Sequence, residues 1–320
     1  MTKKIFLGID TSNYTTSCAF CDFEGNILKN LKILLPVKEG ERGLRQSDAV
    51  FAHIKNIPLI AEKIKADSDE YEIVAIGHSA YPRDCEGSYM PCFLVGEAVS
   101  DLIAALNKVD NYKFSHQSGH IQAAIYSSGA EIGNEDFIAF HVSGGTTEIL
   151  HASSINNSFK IELLGGSSDL HIGQVIDRIG VKMGIKFPCG PEIERLAREN
   201  TKKIPSYKIS VNNLSCNISG IENLASKLYD DTLDALLVSA FVLDFVYKNI
   251  EKLTTNVREL YPNAKIIFAG GVMSNLIIQN RLKGAFKEVY FAKPEYSSDN
   301  ATGIALLTRS KYLDKEVYNG

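Results

Sequence analysis

Residues 136–153, DFIAFHVSGGTTEILHAS, place a buried strand, a Ser-Gly-Gly turn and a second strand in direct succession. The same order occurs near the start of the chain, where KKIFLGID (3–10) precedes a polar turn at 11–13 and the strand TTSCAFCDF (15–23). Apolar runs of this length, bounded by turn residues, are typical of buried strands. Two copies of one motif predict two similar α/β lobes.

Helical periodicity fills much of the remaining chain. The predicted helices cover residues 47–66, 93–107, about 170–183, 222–255 and 299–313, with Asp299 as a capping residue of the last one. Further strands are predicted in EIVAIGHS (72–79) and in AKIIFA (264–269), which runs into a glycine turn. We therefore expect strands and helices to alternate in both lobes.

Length and composition limit the class of protein. A chain of 320 residues and 35.2 kDa is sized for about two domains. Its 45% apolar and 22% charged residues exclude a disordered tail, a collagen-like protein and a coiled-coil rod. The net charge of −4 provides no overall basic field, so an RNA partner would need a local basic patch or another subunit.

The sequence contains no secretory signal peptide and no apolar stretch of about 18 residues that would cross a membrane. It has six cysteines, which do not form a disulfide framework in a chain of this length: Cys18, Cys21, Cys85, Cys92, Cys189 and Cys216. We expect a cytoplasmic protein.

Three turns of small or polar residues end predicted strands, at 10–13, 143–146 and 270–272. Backbone N–H groups in such turns can bind phosphate oxygens. One such turn is usually only a turn, but three over two lobes predict a bound nucleotide. The pattern is neither a Walker A loop nor a GxGxxG fingerprint.

His116 and His120, in SHQSGH (115–120), are four residues apart. On a helix both imidazoles would face one ion, although such pairs also occur by chance. Gln117 stands where a zincin has its general base, which argues against a peptidase. A third ligand must come from elsewhere, and a carboxylate is the obvious candidate. Asp177 and Glu194 could bind ribose or substrate hydroxyls, or could simply be exposed.

Together these segments resemble the tRNA threonylcarbamoyladenosine transferases, a family formerly described as O-sialoglycoprotein endopeptidases or glycoproteases. The resemblance covers nearly the whole chain, with its motifs in family order. HQSGH resembles the HxEGH metal motif, HVSGGTTEIL the YVSGGNT phosphate turn, and SSDLHIGQVIDRIG the DIAxGNxLDR segment. LGIDTS, FPCGPEIERLA, AGGVMSN and SSDNATGIAL resemble GIDTS, YPGGPxIExLA, GGVAAN and xTDNAAMIA.

The resemblance implies the actin-like ATPase fold, with two RNase H-like lobes around a nucleotide cleft. The first lobe would comprise residues 1–125 plus 298–320, and the second residues 126–297. The implied enzyme is an acyltransferase that moves a carbamoyl-type group, threonylcarbamoyl in the family, from an adenylate to an adenosine of tRNA. Its implied partners are the adenylate, tRNA and the subunits of a tRNA-modification complex.

The resemblance also assigns residues. A divalent metal, iron or zinc, would be held by His116, His120 and Asp299, with His141 as a candidate fourth ligand. An ATP- or AMP-type nucleotide or threonylcarbamoyl-AMP, with or without Mg²⁺, would be bound by a larger set: His141, Val142, Ser143, Gly144, Gly145, Asp177, Gly190, Glu194 and Asn275. Asp10, facing the phosphates or their Mg²⁺ ion, and Asp177 are the catalytic candidates.

Some segments depart from the family pattern. The family's glycine-rich GPGL segment is replaced by YPRDCEGSYMPCF (81–93), Ser118 replaces the Glu of HxEGH, and Glu222 stands where a Lys is usual. These departures leave two alternatives open. One is a divergent paralogue that carbamoylates an acceptor other than tRNA, and the other is a nucleotide-binding partner subunit without catalysis.

Overall fold

The computed structural model describes residues 2–12, 14–36, 44–66, 70–133, 135–155 and 158–319, with side chains up to residue 315. The chain divides into two compact units. The first contains residues 1–126, 154–161 and 298–320, and the second contains residues 127–153 and 162–297.

The sheet of the first unit has five strands in the order β3-β2-β1-β4-β5. β1 pairs antiparallel with β2 and parallel with β4, and β4 pairs parallel with β5. Its strands are β1 (Lys3–Ser12), β2 (Thr15–Cys21), β3 (Ile27–Leu34), β4 (Tyr71–Tyr81) and β5 (Asp110–Ser115). Its helices are α1 (Gln46–Lys65), α2 (Phe93–Asn107), α3 (His116–Ser128) and the last helix of the chain, α10 (Thr302–Asn319).

The sheet of the second unit has seven strands in the order β12-β11-β6-β7-β8-β10-β9. They are β6 (Phe137–Val142), β7 (Thr147–Ile155), β8 (Ser158–Ser167), β9 (Ser210–Asn212), β10 (Ser215–Asn217), β11 (Lys265–Ala269) and β12 (Val289–Phe291). The helices are α4 (Ile172–Lys182), α5 (Gly190–Glu199), α6 (Ser219–Thr232), α7 (Ala235–Leu260), α8 (Leu276–Ala285) and α9 (Pro294–Ser297).

The repeated strand–turn–strand motif is confirmed, because β1–β2 and β6–β7 are both antiparallel hairpins. Each hairpin's first strand also pairs in parallel with a later strand, β4 in one sheet and β11 in the other. The order β8-β7-β6-β11-β12 in the second sheet therefore repeats the order β3-β2-β1-β4-β5 in the first.

Three sequence-based predictions need correction. Thr11 and Ser12 belong to β1 rather than to a turn, since the pairing with β2 continues to Ser12; Asn13 lies outside the described residues. The single helix predicted over 222–255 is two helices. Leu233 between them is left-handed (φ 50°), and the Asp234 carboxylate caps α7.

The last correction concerns Asp299, which does not cap the final helix. The side chain of Asn300 does so, because its Oδ1 accepts a hydrogen bond from Thr302 N–H at 3.0 Å. This capping leaves the Asp299 carboxylate available for other contacts.

β1 is covered on both faces, as strands of a buried parallel sheet are. Ile5, Leu7 and Ile9 share one cluster of buried side chains, and Phe6 packs with Ala305 of α10 in another. Gly8 permits this helix to lie close, since a Cβ atom there would be 2.4 Å from Ala305 N. α10 is thereby held across β1. Within the described residues, no helix is long and apolar enough to cross a membrane.

Candidate functional site

His116 and His120 lie on the same face of α3, one turn apart, as the sequence spacing predicts. Their Nε2 atoms are 2.9 Å apart and their rings meet edge to face, with 4.3 Å between centroids. Both imidazoles therefore present the same nitrogen to one point.

Asp299 joins the two histidines from the segment before α10. Its Oδ1 atom lies 3.2 Å from His120 Nε2 and 3.6 Å from His116 Nε2. One ligand atom from each of the three residues falls within 4.8 Å of the other two. We call this group of His116, His120 and Asp299 the candidate metal centre.

Two glycines allow the helix carrying the histidines to approach the start of α10. A Cβ atom on Gly303 would lie 1.8 Å from the carbonyl oxygen of Gly119, which is a backbone clash. A Cβ atom on Gly119 would lie 2.9 Å from the Ile304 side chain. The close approach of α3 and α10 thus depends on glycine at both positions.

The buried carboxylate of Asp10 contacts His116 at Nδ1, the ring nitrogen that does not face the candidate metal centre. Asp10 Oδ2 lies 3.0 Å from His116 Nδ1, and the Ser79 hydroxyl donates a hydrogen bond to Asp10 Oδ1. Asp10 is fully buried at the end of β1. Contact at Nδ1 orients the imidazole and leaves Nε2 directed at the candidate metal centre, the usual arrangement behind a metal-ligating histidine.

The charges of the candidate metal centre are strongly coupled. Burial lowers the pKa of His116, but the carboxylates of Asp10 and Asp299 outweigh that effect and raise it to about 10. Burial raises the pKa of Asp299, but its contacts with His116 and His120 prevail and hold it well below its usual value. Two imidazoles and a carboxylate that converge in this way fit a divalent ion such as zinc or iron.

The predicted nucleotide residues lie in the second unit, beginning with the turn after β6. Ser143 N–H donates to the Thr146 carbonyl at 2.7 Å, and Gly145 N–H donates to Ser143 Oγ at 3.2 Å. The first turn of α4 packs directly on this turn, since a Cβ atom on Gly173 would lie 2.6 Å from Gly144 N. His141 and Val142 are the last two residues of β6.

The other nucleotide candidates lie in α4, in α5 and just before α8, and two hydrogen bonds link these helices. Asp177 Oδ1 accepts a hydrogen bond from Cys189 N–H at 2.9 Å, beside Gly190 at the start of α5. Glu194 Oε1 accepts one from Leu276 N–H at 3.2 Å, next to Asn275. Burial raises the pKa of Asp177 despite its bond to Cys189. The nucleotide roles of these residues stay a prediction.

Asn275 and Gly270 belong to the segment between β11 and α8, and Gly270 lies against the end of β6. Asn275 Oδ1 caps α8 by accepting a hydrogen bond from Ile278 N–H at 3.1 Å. Gly270 is left-handed (φ 96°), and a Cβ atom there would lie 2.2 Å from the Val142 carbonyl oxygen. The predicted residues of the second unit thus surround one turn-rich edge of its sheet.

Sequence reasoning missed four residues that build the candidate metal centre or adjoin it: Ser79, Asp84, Gly119 and Gly303. Ser79 and Asp84 carry no local signal, because their contacts join residues distant in the chain. Gly119, between the two histidines, and Gly303, two residues into the last helix, gave a signal, since a glycine inside a helix usually has a packing reason.

The fold and the candidate metal centre define a class: an α/β protein of the actin-like ATPase fold with a candidate His-His-Asp metal centre. One similar solved structure is the activator of the 2-hydroxyisocaproyl-CoA dehydratase from Clostridium difficile with bound ADPNP. The match covers 98% of this chain and 97% of the activator chain, with a TM-score of 0.54 and 12% sequence identity. A likeness at this identity shows the fold alone.

Residues 39–306 match the TsaD family, tRNA N6-adenosine threonylcarbamoyltransferase, and the chain belongs to this family. The tRNA N6-adenosine threonylcarbamoyltransferase of Phocaeicola vulgatus is 28% identical over 342 residues, which cover 98% of this chain and 95% of the relative. The "Probable bifunctional tRNA threonylcarbamoyladenosine biosynthesis protein" of Thermoplasma acidophilum is also 28% identical. The match covers 94% of this chain but 55% of that longer protein. The family and fold predicted from the sequence are thereby confirmed.

Proposed function

We propose that this protein transfers a threonylcarbamoyl group from an adenylate to N6 of an adenosine in tRNA, with a divalent metal ion as cofactor. The observation that carries the proposal is the convergence of His116, His120 and Asp299 in a chain of this family. The proposed partners are tRNA and further subunits of a tRNA-modification complex. The proposed location is the cytoplasm, and all six cysteines are free thiols, as a reducing compartment requires.

The proposed reaction balances without a redox step. The lone pair of the adenosine N6 amine attacks the carbamoyl carbon of threonylcarbamoyl-AMP. A C–N bond forms, the bond between that carbon and the phosphate oxygen breaks, and AMP leaves with the bonding electron pair. One N6 proton is released to solvent. The products are threonylcarbamoyladenosine in tRNA and AMP.

The chain's own residues bind and orient the reactants in this proposal. His116, His120 and Asp299 would hold the metal, and a bound zinc or iron ion would supply Lewis-acid chemistry to oxygen atoms of the threonylcarbamoyl group. Asp10 fixes the His116 ring through Nδ1, so that Nε2 stays directed at the metal position. The proposed fourth ligand, His141, lies in the second unit, and its part in the metal centre stays a prediction.

The nucleotide would be held by the second unit. The N–H groups of Ser143 and Gly145 already donate within the turn, so the Gly144 N–H is the proposed donor to a phosphate oxygen. This amide would also stabilise the charge that develops on the AMP leaving group. Asp177, Gly190, Glu194 and Asn275 remain the proposed contacts to the nucleoside.

A second candidate function keeps the chemistry and changes the acceptor. The observation that favours it is loop 82–92, which replaces the family's glycine-rich segment and hydrogen-bonds to the first turn of α3, beside His116. A loop at that place would lie near an acceptor that approaches the candidate metal centre. The acceptor would then be a different amine or thiol.

The deciding experiment combines metal-loaded protein, threonylcarbamoyl-AMP and unmodified tRNA. We expect AMP release and threonylcarbamoyladenosine formation, both reduced at least 100-fold in His116→Ala and Asp299→Ala because each removes a metal ligand. AMP release without tRNA modification, sustained by another amine or thiol, supports the second candidate. If the protein does not bind the adenylate, both candidate functions are contradicted. If it binds the adenylate but does not turn it over, it is a non-catalytic partner subunit.

A further inference from the structure

Loop 82–92 is hydrogen-bonded to three residues around the first histidine of the candidate metal centre, one before it at the end of β5 and two after it in the first turn of α3. Asp84 Oδ2 accepts a hydrogen bond from Ser118 Oγ at 2.9 Å and another from Ser115 Oγ. The Pro82 carbonyl accepts one from Gln117 N–H at 3.1 Å. Ser115 and Ser118 are fully buried, whereas Asp84 extends to them from an exposed loop.

The Asp84 carboxylate accepts a hydrogen bond from each of the two serine hydroxyls. Each hydroxyl has one proton, and Asp84 Oδ2 is an acceptor within reach of both; Ser115 Oγ also lies 3.0 Å from Ser118 Oγ. A lone pair of Ser115 Oγ is then free to accept the Ser118 N–H at 3.0 Å, which is the N-cap bond of α3. A negative charge beside the first turn also stabilises the helix N-terminus. Asp84 therefore orders the turn that carries His116.

The same contact joins two of the departures found in the sequence. Ser118 stands in the HxEGH-like motif where a Glu is usual, and loop 82–92 differs from the family's segment. In the structure the loop places a carboxylate against the very side chain that lacks one. The two departures are therefore in direct contact in the structure.

We infer that Asp84 is a positioning residue of the candidate metal centre, which supplies from loop 82–92 the carboxylate absent at Ser118. The inference rests on the proposed function in so far as that function places a metal at His116. Asp84 touches none of the three ligands and acts through the helix that presents them.

The test compares Asp84→Ala with Glu86→Ala, which removes an equal charge from the same loop. Glu86 is exposed and has no hydrogen bond or ion pair in the described part of the chain. By competition with a chromophoric chelator, Asp84→Ala should lower Zn²⁺ affinity about tenfold and Glu86→Ala less than twofold. The visible spectrum of bound Co²⁺ should change in Asp84→Ala alone. Equal affinities and spectra in Asp84→Ala and wild type would overturn the inference.

A rescue variant and a metal-free measurement complete the design. Asp84→Ala/Ser118→Glu returns a carboxylate to α3 and should recover Zn²⁺ affinity to within about threefold of wild type. In metal-free protein, amide hydrogen exchange over 116–119 should be faster in Asp84→Ala than in Glu86→Ala, and equal exchange contradicts the inference. A wild-type protein that binds neither ion contradicts the proposed metal centre instead, and the exchange comparison still decides the role of Asp84.

Discussion

Asp10 shows how one buried side chain changes the interpretation of the candidate metal centre. The sequence predicts that it faces phosphates or Mg²⁺, which stays a prediction, and the structure places its Oδ2 atom 3.0 Å from His116 Nδ1. We therefore expect Asp10→Asn to weaken Zn²⁺ binding by roughly 10–100-fold, because the imidazole loses its charged partner. The measurement is the Zn²⁺ dissociation constant, with thermal unfolding as a check on folding.

Asp101→Asn is the matched control for Asp10→Asn. Asp101 also lies in the first unit and accepts a hydrogen bond from Asn111, but on the exposed surface of α2. Its replacement should leave Zn²⁺ affinity within a factor of two. Unchanged affinity in a folded Asp10→Asn protein would show that Asp10 does not position His116.

Asp169 is a second residue whose environment makes a specific prediction. It accepts hydrogen bonds from Ile218 N–H at 2.8 Å and from Ser219 N–H at 3.0 Å, at the start of α6. Partial burial raises the pKa of Asp169, but these bonds, with others from Ser219 Oγ and Leu170 N–H, outweigh it and hold the pKa well below its usual value.

A depressed carboxyl pKa stabilises the fold only while the group is ionised. The contribution is complete above the unfolded-state pKa of about 3.9 and is lost as the pH falls further toward the folded-state value. Asp169→Asn should therefore lower the free energy of unfolding by about 1 kcal/mol at pH 7, because the amide loses the charge and one of the two accepting oxygens, and by less at pH 3. Urea denaturation at both pH values measures this difference. Asp231→Asn, exposed on α6, should show neither effect, and a pH-independent deficit would refute the account.

At the residue scale, the sequence predicts ligand types better than it predicts their neighbours. The spacing of His116 and His120 predicts their shared face, because an α-helix repeats every 3.6 residues. The contacts from Ser79 to Asp10 and from Asp84 to Ser118 are not predictable in this way. They join β4 to β1 and a loop to α3, and depend on how the strands are ordered in the sheet.

At the scale of elements, the approach of α3 to α10 depends on Gly303. An alanine there would place its Cβ atom 1.8 Å from the Gly119 carbonyl oxygen, and backbone atoms cannot move aside as a flexible side chain can. Gly303→Ala should lower the free energy of unfolding by about 2 kcal/mol, the usual cost of overpacking, and weaken Zn²⁺ binding at least tenfold. Chemical denaturation and Zn²⁺ titration measure the two effects.

Gly220→Ala is the matched control for Gly303→Ala. Gly220 is also the second residue of its helix, α6, and a Cβ atom there would meet no atom within 4 Å among the described residues. This variant should be as stable as wild type or slightly more stable, because alanine favours helix. A Gly303→Ala protein that matches it in stability and Zn²⁺ affinity would contradict the packing argument.

The sequence predicts which helices and strands form more reliably than it predicts where each one begins and ends. The helix at Phe93–Asn107 is confirmed with the predicted bounds, since its apolar periodicity ends at the left-handed Lys108 (φ 56°). The 222–255 prediction fails at the break, because Leu233 adopts a left-handed conformation that leucine rarely shows. Asp234, a capping residue type, is the local signal of a new helix. Asp299 is misassigned because the neighbouring Asn300 is an equally good capping residue.

At the scale of the whole molecule, the candidate metal centre lies in the first compact unit. The predicted nucleotide residues lie in the second, and they include His141, the proposed fourth metal ligand. Two sheets with the same strand order would then differ in the chemistry beside their first strands, with Asp10 against His116 in one and the turn at Ser143 in the other. The sequence predicts both the repeat and this assignment, since the three residues of the candidate metal centre fall in the first predicted lobe and the nucleotide residues fall in the second.

This division makes a prediction for hydrogen exchange in the full chain. Zn²⁺ should slow exchange in the first unit at 115–121 and 299–304, where the candidate ligands lie. An AMP analogue should slow exchange in the second unit at 142–147, where the Gly144 amide would bind phosphate. His116→Ala should abolish only the zinc effect.

Gly144→Asp should abolish only the nucleotide effect. A side chain fits there, because a Cβ atom on Gly144 would meet no atom within 4 Å among the described residues, and the added carboxylate would repel phosphate. Gly144→Ala, which adds no charge, should keep the effect. If His116→Ala also removed protection at 142–147, or Gly144→Asp at 115–121, the two ligands would have to share their binding residues. The assignment of metal and nucleotide to separate units would then be wrong.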